Sequence, residues 1–125
     1  MAMLEYEIES FGRRLGLESL KLSAEGLARL DIEHVGSLYL ERGKDGELLV
    51  YLSSSLPGHD VEAVRRLLSL CDYRRALPMP LQAGAFSGRA VLLTRMDENT
   101  VTAAALENAL RFLSELMHDA MRAQA

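Results

Sequence analysis

Between Leu4 and Leu15 the apolar residues Leu4, Ile8, Phe11 and Leu15 recur at helical spacing and share one face, with Glu5, Glu7, Glu9, Arg13 and Arg14 around the rest. Acidic residues early and basic residues late suit the helix dipole, and Gly16 is placed to terminate the helix in a left-handed conformation. The period then changes from helical to alternating. Leu27 to Glu33 sets Ala28, Leu30 and Ile32 against Arg29, Asp31 and Glu33; Ser37 to Glu41 opposes Leu38 and Leu40 to Tyr39; Leu48 to Leu52 opposes Leu48, Val50 and Leu52 to Leu49 and Tyr51. Gly36 and Gly43-Lys44-Asp45-Gly46 supply the turns of an antiparallel meander.

A half-buried sheet should turn a polar face to water, yet the outer face of these strands carries Tyr39, Leu49 and Tyr51. Either a helix covers that side, or it meets a partner. Beyond Leu56-Pro57-Gly58, Asp60 is placed to cap a second helix from Val61 to about Asp72. Its stripe of Val61, Val64, Leu67, Leu68 and Cys71 is widened by Ala63 and Leu70, so the helix needs more than one neighbour. Pro78 and Pro80 admit an edge or entry position into a strand over Leu81 to Ala85, with Gly84 and Gly88 marking a bend or turn. Arg89 to Met96 reads as a strand. Thr102 to about Arg122 reads as the longest helix, its stripe formed by Leu106, Leu110, Leu113 and Met117. The expected fold is α+β, in the order α-β-β-β-α-β-β-α, with a mostly antiparallel twisted sheet in one domain spanning 1–125.

Composition narrows the function. The chain is 49% hydrophobic and 26% charged, with a net charge of −4, which disfavours nucleic acid because phosphate binding needs clustered Lys and Arg. One cysteine excludes a disulfide scaffold, and no apolar run approaches a membrane span. The opening Met1-Ala2-Met3-Leu4-Glu5 lacks the basic region and long apolar run of a signal peptide.

Candidate chemistry is sparse. His34, His59 and His118 are isolated and Cys71 has no second cysteine, so neither a metal nor a cofactor is expected. Cys71 lies on an apolar stripe beside Asp72, which opposes thiolate formation. Ser53-Ser54-Ser55 lacks the glycine frame of a nucleophile elbow and reads as a turn; Gly43-Lys44-Asp45-Gly46 lacks a P-loop's spacing and reads as a hairpin connection. With no catalytic constellation, the chain reads as a binding module and not an enzyme.

The chain resembles the class I chaperones of type III secretion systems, SycN-like members in particular. The resemblance rests on Gly36-Ser37-Leu38-Tyr39-Leu40-Glu41, Leu48-Leu49-Val50-Tyr51-Leu52, Ala76-Leu77-Pro78-Met79-Pro80-Leu81-Gln82-Ala83-Gly84, Val91-Leu92-Leu93 followed by Met96-Asp97-Glu98, and the Leu-rich last helix. It implies a bacterial cytoplasmic protein, free or peripheral at the secretion apparatus, that binds the N-terminal segment of a secreted gatekeeper or effector without nucleotide. It also implies a homodimer, or a heterodimer with a second small chaperone. Client contacts are then expected at Leu4, Ile8 and Phe11, and on the sheet at Leu38, Leu40, Val50 and Leu52 or at Tyr39, Leu49 and Tyr51. Dimer contacts are expected at Val61, Val64, Leu67, Leu68, Cys71 and around Leu81. The alternative is a small dimeric α+β ligand-binding or scaffold module with a closed pocket.

Overall fold

In the computed structural model, residues 3–56, 61–70 and 79–121 are described. They form α1 (Met3–Arg14), β1 (Leu27–Ile32), β2 (Gly36–Arg42), β3 (Glu47–Ser55), α2 (Val61–Leu70), β4 (Gln82–Phe86), β5 (Arg89–Asp97) and α3 (Ala103–Met121), the expected order. Asp60, Cys71 and Pro78 lie outside the described residues.

The end of α1 follows from its glycine. Gly16 has φ +83°, its N–H donates to the Arg13 carbonyl at 3.0 Å, and the Leu17 N–H donates to the Gly12 carbonyl at 2.8 Å. These paired bonds satisfy carbonyls that the last helical turn leaves orphaned. At the other end of the chain, the Thr102 hydroxyl accepts the Ala105 N–H at 3.1 Å and opens α3. Glu7 of α1 accepts the Ala103 N–H at 2.8 Å, placing a carboxylate on the positive end of α3.

The five strands pair antiparallel throughout in the order β1-β2-β3-β5-β4. The β4–β5 hairpin closes on Ser87 and Gly88 alone, both at positive φ, the geometry that matches strand twist. Gly84, expected at a bend, lies within β4 opposite Val91. A further correction concerns the serines: Ser53, Ser54 and Ser55 continue β3 and pair with Val91, Ala90 and Arg89. Cross-strand partners, with a guanidinium to satisfy the hydroxyls, override their turn preference.

Alternation along the strands separates two faces. Ala28, Leu30, Leu38, Leu40, Leu48, Val50, Leu52, Ala90 and Leu92 point to one side and join Leu4, Ile8 and Phe11 of α1, Leu67 of α2 and Leu106, Leu113 and Met117 of α3 in one core. Each fully buried Leu there contributes about 1.5–3 kcal/mol relative to exposure. The helices α1 and α2 flank α3, and α2 also meets β4. The three described helices therefore share the core side, and the opposite sheet face has no helical layer among the described residues.

Candidate protein-binding surfaces

The uncovered face is built in rows across the strands. One row runs Arg29, Tyr39, Tyr51, Leu93 and Gln82; the next runs Asp31, Ser37, Ser53, Val91 and Gly84. Tyr39 and Tyr51 stack with centroids 4.9 Å apart at 11°, and the Arg29 guanidinium lies 5.7 Å from the Tyr39 ring centre. The Tyr51 hydroxyl donates to Glu41 at 2.8 Å. Burial first, and that carboxylate next, push the Tyr51 phenol well above its ordinary value. Leu49, Val91 and Leu93 extend the apolar centre, and Phe86 stands 76% exposed beside it. Around this centre, Arg95 pairs with Glu47 at 3.2 Å and Arg29 with Asp31 at 3.2 Å. The Ser37 hydroxyl, at 2.8 Å, and then the Arg29 charge hold Asp31 below the usual carboxylate value.

A second surface adjoins this face at the free edge of β1. The Gly26 carbonyl accepts the Arg42 N–H at 2.8 Å, which sets the alternation: Ala28, Leu30 and Ile32 address β2, while Arg29 and Asp31 turn their backbone groups outward. Beside the edge lies a hollow of about 410 Å³, open to solvent and lined by Leu15, Leu17, Leu30, Ile32 and Leu110 with Arg29, Asp31 and Glu33. Unpaired strand groups next to apolar walls are what an added strand needs. A third surface is on α2, where Val61 is 60% and Leu68 53% exposed, with half-buried Val64 between them.

The sequence-derived residues divide accordingly. Leu4, Ile8, Phe11, Leu38, Leu40, Val50 and Leu52 are at most 4% exposed and pack into the core, so they offer a client no surface in this state. Tyr39, Leu49 and Tyr51 come together on the uncovered face. On α2 the expected stripe splits: Leu67 is fully buried with Ala63, whereas Val61 and Leu68 face out. Leu81 is half-buried against the core. Sequence reasoning missed Val91, Leu93, Phe86 and Arg89 on the face and the Leu15–Leu17–Leu110 walls of the hollow. The unbroken Val91-Leu92-Leu93 run was the available signal, because apolar residues on both sides of a strand require cover on both sides. Among the described residues no group of three His, Cys, Asp or Glu side chains is placed to hold a metal ion, and no helix is long and apolar enough to cross a membrane.

An open sheet face, a free strand edge and an exposed helix stripe define a protein-binding module. The chain belongs to the type III secretory system chaperone SycN family, whose profile matches residues 3–121. No curated protein matches it by sequence. Solved structures with the same fold include one of the Yersinia pestis type III secretion chaperone SycH with a stable fragment of YscM2, at TM-score 0.73 and 15% identity, covering 93% of this chain and 98% of that one. The ExsC–ExsE complex matches at TM-score 0.76 and 20% identity, over 96% of this chain and 92% of that one. The ExoU–SpcU complex of Pseudomonas aeruginosa matches at TM-score 0.63 and 22% identity, over 91% and 94%.

Proposed function

We propose that this chaperone holds the N-terminal segment of a secreted gatekeeper or effector across the uncovered face and along the β1 edge. The observation that carries the proposal is the cluster of Tyr39, Tyr51, Leu49, Val91 and Leu93 on a sheet face without a described helical layer. A client held extended loses chain entropy, so it must bury apolar area to compensate, and this cluster supplies it. Backbone groups of Arg29 and Asp31 add a strand's hydrogen bonds, and the hollow beside them takes alternate side chains. The chaperone works in the bacterial cytoplasm as a dimer, like or mixed, joined through Val61, Val64 and Leu68 of α2. It needs no nucleotide, because the secretion apparatus removes the client. The test is co-expression of the full chain with the secreted protein encoded beside it. A soluble, protease-resistant complex is expected, and Tyr51→Lys should abolish it while leaving the thermal midpoint of the free chaperone within a few degrees. Failure to capture that protein, or undiminished capture by Tyr51→Lys, contradicts the proposal.

A further inference from the structure

The uncovered face contains a trough. Its floor is Val91 with Gly84, one wall is Leu93 and the other is Arg89 with Phe86; the neighbouring Ser37 and Ser53 are buried beneath the Arg29 and Arg89 guanidinium groups. A Cβ built on Gly84 meets nothing within 4 Å, so the floor there opens to solvent.

Arg89 is the exception among the arginines of the sheet. Arg29 faces Asp31 at 3.2 Å, Arg42 faces Glu98 at 3.1 Å and Glu5 at 3.4 Å, and Arg95 faces Glu47 at 3.2 Å. Arg89 instead donates to neutral oxygens: Nε to Ser53 Oγ at 2.6 Å, Nη1 to Ser55 Oγ at 3.2 Å and Nη2 to the Ser53 carbonyl at 3.1 Å. Among the described residues no carboxylate pairs with it; Asp31 bonds Ser37 and Arg29 and feels Arg89 only through space. Three of its five N–H donors are used, which fixes the half-buried guanidinium and leaves two donors for an incoming group. A held guanidinium has little side-chain entropy left to lose, and it matches a carboxylate better than any neutral group.

The geometry points to a client segment that lays an apolar side chain into the trough and presents an aspartate or glutamate to Arg89. This rests on the client-binding reading above and names what the client must carry. Alternate residues along β5 are about 6.7 Å apart, so Arg89 and Val91 match side chains two positions apart on an extended segment aligned with that strand. An acid two positions from an apolar residue meets both. A phosphate-rich polymer does not fit, because on this face Arg29 and Arg95 are already matched by acids and the chain's net charge is −4, so the cluster such binding requires is missing.

The probe is a phage-displayed library of random peptides selected on the immobilised full chain, wild type and Arg89→Glu. Peptides from the wild type should carry Asp or Glu two positions from an apolar residue, and those from Arg89→Glu should carry Lys or Arg there. Changing that acid to its amide in a selected peptide should weaken wild-type binding about fivefold, and Arg89→Gln should bind both forms alike. Gly84→Leu fills the trough and should weaken every selected peptide. Thermal melts establish that each variant is folded. Like pools from both proteins, no enrichment at all, or an amide peptide that binds the wild type as well as the acid would overturn the inference. Capture of the co-expressed secreted protein is read separately. Loss of that capture sinks the chaperone–client reading, whereas capture that persists without any acid preference sinks only the role of Arg89.

Discussion

Gly36 begins β2 at φ +146°, and a Cβ there would stand 2.2 Å from the Ser53 carbonyl oxygen. Both the backbone angle and the neighbouring strand therefore demand glycine. Gly36→Ala should destabilise the fold by roughly 3 kcal/mol, read as a lower denaturant midpoint, because the obstruction is backbone and cannot turn aside. Tyr51 makes a prediction of opposite subtlety. Its folded-state pKa is raised, so its contribution is fully present below the ordinary tyrosine value of 10.0 and is lost as pH rises beyond that, when the unfolded chain ionises first. Tyr51→Phe has no proton to lose. The wild type should therefore lose stability relative to Tyr51→Phe above pH 10 and hold a constant difference near neutrality, measured by denaturation of both proteins. A constant difference at all pH values would contradict the burial and Glu41 bond assigned to the phenol.

At the scale of elements, α1, β1, β2 and α3 were legible to within a residue or two, because their periodicity and termini agree. Gly16 reads as a helix stop, and its positive φ and paired bonds bear that out. Two things were not legible. The serine run of β3 carries turn-like residues, and only its pairing with β5 makes it strand. The phase of burial was the other. A stripe identifies one side of a helix, but not whether a given apolar residue faces its own core or a partner. Thus Leu4, Ile8 and Phe11 proved internal, while Val61 and Leu68 are exposed on a helix whose Leu67 is fully buried. The start of α3 offers a direct check on element-level reasoning. Thr102→Ala should cost about 1 kcal/mol, with the remaining cap supplied by Glu7; the double change with Glu7→Gln should cost more than either alone.

For the whole molecule, the sequence indicated a surplus of apolar residues, and the fold distributes it. One sheet face and three helical stripes close the core, and among the described residues much of the remainder gathers on the uncovered face, in the hollow at the β1 edge and on α2. If α2 joins two chaperones, Val61→Asp with Leu68→Asp should convert the dimer to a folded monomer in sedimentation. Both positions are already more than half exposed, so the monomer should melt normally. An unchanged dimer would place the interface elsewhere.

The central claim is that the client lies on the sheet face opposite the helices. The most direct measurement is photo-cross-linking within the co-expressed complex, with a benzophenone amino acid placed at Tyr39 on that face or at exposed His118 on α3. The account predicts a covalent chaperone–client product from position 39 and none from position 118. A product from position 118 with none from position 39 would contradict it.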